Sequence, residues 1–160
     1  MSGWENFFLG ELGASAALAG LIFVGLSINL QKIMNSPHLP NRVLEALVVL
    51  VAVLFLASLL LIPNQSFLAI GIEVLLLGLC EWIVMVFLQI DSLRKMPAEF
   101  RLAFTRVILV CQLATLSFIT AGIIFLLGGT TGFYWIVAAV LLSFLATFVD
   151  IWVLVVEINR

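Results

Sequence analysis

Apolar residues run through the chain in five long blocks, 12–33, 43–62, 67–90, 104–127 and 133–156, and Pro, Gly, Asn and charged residues collect between them. Each block holds the roughly 20 residues that carry a helix across about 30 Å of hydrocarbon. The longest stretch outside the blocks, 91–103, is too short to build a core of its own. The pattern therefore predicts an all-α, polytopic transmembrane helical bundle of five spans, forming one domain over 1–160 with the lipid bilayer as its surroundings. The stretches 63–66 and 128–132 are short enough to force antiparallel hairpins, so the expected architecture is one helix followed by two hairpins. Each hairpin's second helix carries an interior acid, Glu81 or Asp150.

Composition narrows the picture. The chain is 64% hydrophobic and 10% charged, with a mean hydropathy of +1.31, against about 45–50% apolar and about 25% charged in soluble domains. A formal net charge of −2 leaves no basic stripe for nucleic acid, so no nucleic-acid partner is expected. If the five blocks alternate in direction, all seven basic residues fall on one side: Lys32, Arg42, Arg94, Lys95, Arg101, Arg106 and Arg160. Lys and Arg mark cytoplasmic loops, which predicts an N-out/C-in topology. The aromatic residues Trp4, Phe7, Phe8, Phe133, Tyr134 and Trp135 then fall on the outer side, at the interfacial level such rings prefer.

The stretch before the first block carries two Glu and no Lys or Arg, so that block reads as a retained span and not as a signal peptide. Between the first and second blocks, Pro37 and Pro40 interrupt helix, and Asn41 is the expected N-cap of the second span. Cys80 and Cys111 read as buried packing thiols, and His38 as a solvated loop residue.

The first block has two faces. Gly13, Ala17, Gly20, Val24 and Ser27 form a stripe of small residues suited to close helix packing. The opposite stripe, Glu11, Ser15, Leu18, Ile22, Gly25 and Asn29, is polar at both ends and apolar between them. It reads either as a second packing face or as the lining of a pore with an apolar constriction, and one helix encloses a pore only in a homo-oligomer.

Glu73, Glu81 and Asp91 lie within about 80° of one another on a helical projection. An ionised carboxylate at the depth of Glu81 costs several kcal/mol unless partnered. Gln112 on the fourth block is level with it and is the expected hydrogen-bond partner; a proton or cation site at Glu81 is the alternative. On the fifth block Ser143, Thr147, Asp150, Leu154 and Glu157 share a stripe, and Asp150 is expected to pair with a snorkelling Arg106 or Arg101. HExxH, a nucleophilic serine motif with a membrane His, and a second deep Asp beside Asp150 are all missing, so neither an enzyme nor a cofactor or metal is expected.

The run from Ala14 to Leu30, ASAALAGLIFVGLSINL, followed by Leu39, Pro40, Asn41, Arg42, Glu45 and then Ile62, Pro63, Asn64 and Gln65, resembles a group of small bacterial multi-pass membrane proteins without established function. Some of these carry the label of modulators of a membrane-bound AAA protease. The resemblance covers about half of the chain, implies a bacterial inner membrane and supplies no site residues. A weaker similarity links 15–24 and 49–55 to helices of the Orai calcium channels. Ile28 stands where that family places its selectivity carboxylate, so calcium selectivity is not implied. Three functions follow as expectations: a self-associating channel or pore, a regulator or adaptor of another membrane protein, and a proton-coupled carrier using Glu81.

Overall fold

In lipid a spanning segment must satisfy its own backbone hydrogen bonds, and helices do so. The computed structural model describes residues 3–37 and 39–158, without the side chains of 98–100, 103, 157 and 158. It contains five helices, α1 (Glu5–Met34), α2 (Leu39–Leu60), α3 (Phe67–Lys95), α4 (Ala98–Leu126) and α5 (Gly132–Ile158), and all five are long and apolar enough to cross a membrane.

The helices outrun several of the apolar blocks at polar ends, most of all between the third and fourth. There α3 continues to Lys95 and α4 begins at Ala98, so helix occupies most of 91–103. Pro97 makes the break, since a proline pushes the residue before it out of the helical region, and Met96 is extended at φ −82°, ψ 137°. The expectation for Asn41 is corrected: α2 starts two residues earlier, at Leu39. Pro40 is compatible with a first helical turn, where its missing N–H is not needed. Asn41 is therefore inside the helix, and its amide donates to Asp91 Oδ2 at 2.6 Å.

The two hairpin turns are built from local chemistry. In the first, Asn64 adopts φ 57°, and the Ser66 hydroxyl caps α3 by accepting from the Ala69 N–H at 3.2 Å. In the second, Gly128 adopts φ 78°. Gly128 N–H donates to Phe125 O and Gly129 N–H to Ile124 O, both at 2.9 Å, the paired bonds of a Schellman stop.

Helices α2, α3, α4 and α5 form a ring of four in chain order, with α5 returning to α2, and α1 lies outside it, mainly against α2. The α3–α4 contact is the tightest, because a Cβ on Gly71 would stand 2.7 Å from Leu126 N and one on Gly122 2.8 Å from Leu75 N. Backbone thus meets backbone where side chains would otherwise intervene.

The bundle has two unlike ends. At one, Trp4 stacks on Phe133 with centroids 5.3 Å apart, and Phe125 meets Phe133 edge-on at 4.8 Å. Phe8 and Phe133 are buried in this cluster, whereas Tyr134 and Trp135 are exposed. The aromatic group is thus partly core. At the other end Ile33, Leu39, Val43 and Leu154 join α1, α2 and α5, and Lys32, Arg42, Arg94, Lys95, Arg101 and Arg106 lie toward the helix ends of that side.

Candidate functional site: a buried charge cluster

Arg42 and Glu45 lie three residues apart on α2, the spacing that puts two side chains on one helix face. Both are buried. Arg42 Nη2 donates to Asp150 Oδ1 of α5 at 2.9 Å, with the two side chains 4% and 2% exposed. The Arg42 guanidinium carbon lies 4.7 Å from the centroid of the Phe104 ring of α4, within cation–π range. Ser92 Oγ of α3 donates to Glu45 Oε1 at 2.9 Å. One cluster therefore draws a residue from every helix of the ring, with two carboxyl groups to one guanidinium.

Its hydrogen bonding is incomplete. Among the described residues Arg42 Nε, Glu45 Oε2, Ser143 Oγ and Thr147 Oγ1 are buried without a partner. Ser143, Thr147 and Asp150 are all buried, as their common stripe on α5 implies. At the rim, Asn41 and Lys95 both donate to Asp91.

The expected partner of Asp150 is corrected. Arg106 is exposed on α4, beside Val107, Val110, Ala146 and Val149, and Arg101 Nε donates to Met96 O at 3.2 Å. Arg42 takes the place because α2 packs beside α5. His38, Arg160 and the side chain of Glu157 lie outside the described residues.

The expected Glu81–Gln112 bond is also corrected. Gln112 Oε1 accepts from Trp82 Nε1 at 2.9 Å, and Gln112 Nε2 donates to Gln89 Oε1 at 2.8 Å. Trp82 and Gln89 are seven residues apart and share a face of α3, while Glu81 is turned about 100° away. Depth matching placed the residues at one level and left out this rotation. Glu81 is 4% exposed, and among the described residues neither of its carboxyl oxygens has a partner. Glu73 accepts from Gln65 Nε2 through both oxygens, at 3.0 and 2.9 Å. Glu73, Glu81 and Asp91 thus have three separate environments. Cys111 is buried as expected, but Cys80 is exposed and lines a groove with Glu81. Among the described residues no group of three or more His, Cys, Asp or Glu could hold a metal ion.

On α1, the stripe considered for a pore lies mostly against the chain itself, although Gly25 is exposed. Ser15 is fully buried, its hydroxyl bonding back to Glu11 O at 2.7 Å. Leu18, Ile22, Gly25 and Asn29 line a groove of ≈ 310 Å³ against α2 and α5. Glu11 is half-buried at the aromatic end. The small-residue stripe points outward: Gly13, Ala17, Gly20 and Ser27 are exposed, and a Cβ on either of the two glycines would meet nothing within 4 Å. Comparison with known proteins finds no matching family model, no matching curated protein and no matching solved structure. Five helices long and apolar enough to cross a membrane, four of them around a buried charge cluster, make this an integral, multi-pass membrane protein by architecture.

Proposed function

We propose that this is a non-enzymatic protein of a bacterial inner membrane, with its charged end in the cytosol, that self-associates through the outward face of α1. One observation carries the reading. Inside the ring, Gly71 and Gly122 are met by a neighbouring helix at backbone distance, whereas a Cβ on Gly13 or Gly20 of α1 would meet nothing within 4 Å. Lipid gives helices no hydrophobic reason to associate, so small-residue faces of this kind are where transmembrane helices approach one another. The orientation rests on the basic residues at one end, and the bacterial membrane on the resemblance of the first half of the chain.

A pore lined by Glu11, Ser15, Leu18, Ile22, Gly25 and Asn29 is not part of this reading, because that face leans on α2 and α5 of the same chain. The test is the mass of the purified protein in mild detergent and in nanodiscs, with and without Gly20→Leu. The expected result is an oligomer that Gly20→Leu shifts to monomer. A wild-type monomer contradicts self-association. If that monomer co-purifies with a different membrane protein and Gly20→Leu releases it, the same face serves an adaptor or regulator.

A further inference from the structure

Arg106 lies just inside the apolar block 104–127. It is exposed on α4, and its neighbours one turn to either side, Leu102 and Leu109, are exposed leucines, so the cation sits on a lipid-facing strip. A helical side chain leans toward the helix N-terminus, which for α4 is the charged end of the bundle. The aliphatic stem of Arg106 therefore lies along apolar surface and carries the guanidinium toward the polar rim. Among the described residues no acid pairs with it: Asp150 is held by Arg42 and Asp91 by Lys95. A fixed charge at the edge of hydrocarbon needs a counter-ion. Beside Arg106, Val107, Val110, Ala146 and Val149 line a narrow groove of ≈ 140 Å³ between α4 and α5. Pockets that enclose a small organic ligand run to about 300–1,000 Å³. This groove is too small for one, but a hydrocarbon chain that lies along it and continues into the bilayer needs no enclosure.

We infer that this groove holds one acyl chain of an anionic phospholipid whose phosphate sits on the Arg106 guanidinium. The order of groups along α4 matches such a ligand: counted from the charged end the exposed cation comes first, and Val107 and Val110 follow deeper in the apolar block. The planar guanidinium suits a phosphate, which it can bind through two parallel N–H donors. Charge selects the lipid class. Arg94, Lys95, Arg101 and Arg106 are all exposed at this end, while Asp91 is already engaged by Asn41 and Lys95. A headgroup with net negative charge is therefore favoured over a zwitterionic one. Trp152, three residues from Val149 toward the same end, is exposed and adds an indole at the depth where such rings meet headgroups. The site is independent of how α1 associates and of which side of the membrane the charged end faces.

The experiment is native mass spectrometry of the whole protein, released from detergent micelles that contain equal amounts of phosphatidylglycerol and phosphatidylcholine with identical chains. Retained phosphatidylglycerol is expected to exceed phosphatidylcholine several-fold. Arg106→Gln, a change at an exposed position, is expected to abolish that preference. Val149→Trp, which fills the groove and keeps the cation, is expected to lower lipid retention several-fold. Arg101→Gln removes an equal charge outside the groove and is expected to leave retention unchanged. Excess glycerol 1-phosphate, which carries the phosphate without the chains, is expected not to displace the lipid. Equal retention of the two lipids, an unchanged preference in Arg106→Gln, unchanged retention in Val149→Trp, an equal loss in Arg101→Gln, or displacement by glycerol 1-phosphate would each overturn the inference.

Discussion

Arg42 of α2 and Asp150 of α5 form a buried ion pair at 2.9 Å across 108 residues of sequence. It joins the first helix of one hairpin to the second helix of the other, and so closes the four-helix ring. Removing one partner of a buried pair leaves an uncompensated charge and typically costs about 3–5 kcal/mol. Arg42→Met and Asp150→Leu are therefore each expected to lower thermal stability in detergent strongly, and the double variant to recover much of the loss. Independent, additive losses in the double-mutant cycle would show that the two side chains do not act as a unit.

Across α3 and α4, Gln112 bridges Trp82 and Gln89. Gln112→Leu leaves the Trp82 N–H and the Gln89 carbonyl without their partner, and a membrane hydrogen bond is worth on the order of 1 kcal/mol. A stability loss of that size is expected, together with a changed Trp82 fluorescence read in a background where the other three Trp are replaced by Phe. Unchanged emission from Trp82 would contradict the contact.

Glycines inside and outside the ring should respond in opposite ways. At Gly122 an added methyl would stand 2.8 Å from the Leu75 backbone nitrogen, and such overpacking typically costs about 1–3 kcal/mol. Within one protomer there is open space at Gly20, so in a detergent that holds the protein as a monomer Gly20→Ala is expected to stay within about 0.5 kcal/mol. Unfolding midpoints of the two variants in one detergent measure the difference, and equal losses would contradict the packing described.

Much of this was readable from residue order. The five helices follow from block length, and the interior stripe Ser143, Thr147 and Asp150 follows from its spacing. Helix extent at 91–103 did not follow from hydropathy, because a helix continues through charged residues until something stops it, and here that is Pro97. The heart of the cluster was hidden for a related reason. Arg42 and Glu45 stand at the start of an apolar block and look like a solvated rim, although an i, i+3 pair of opposite charges entering a span is the signal of a buried network. The partners of Asp150 and Gln112 depend on which helices become neighbours and on rotation about each axis, and one-dimensional depth carries neither.

The orientation is tested most directly by labelling single cysteines, placed at Asn64, Pro97 or Thr130 in a background lacking Cys80 and Cys111, with a membrane-impermeant maleimide in intact cells. Five alternating spans with the charged end in the cytosol give labelling at 64 and 130 from outside, and at 97 only after lysis. Labelling of 64 and 97 from the same side would contradict the topology and, with it, the membrane placement of the charge cluster.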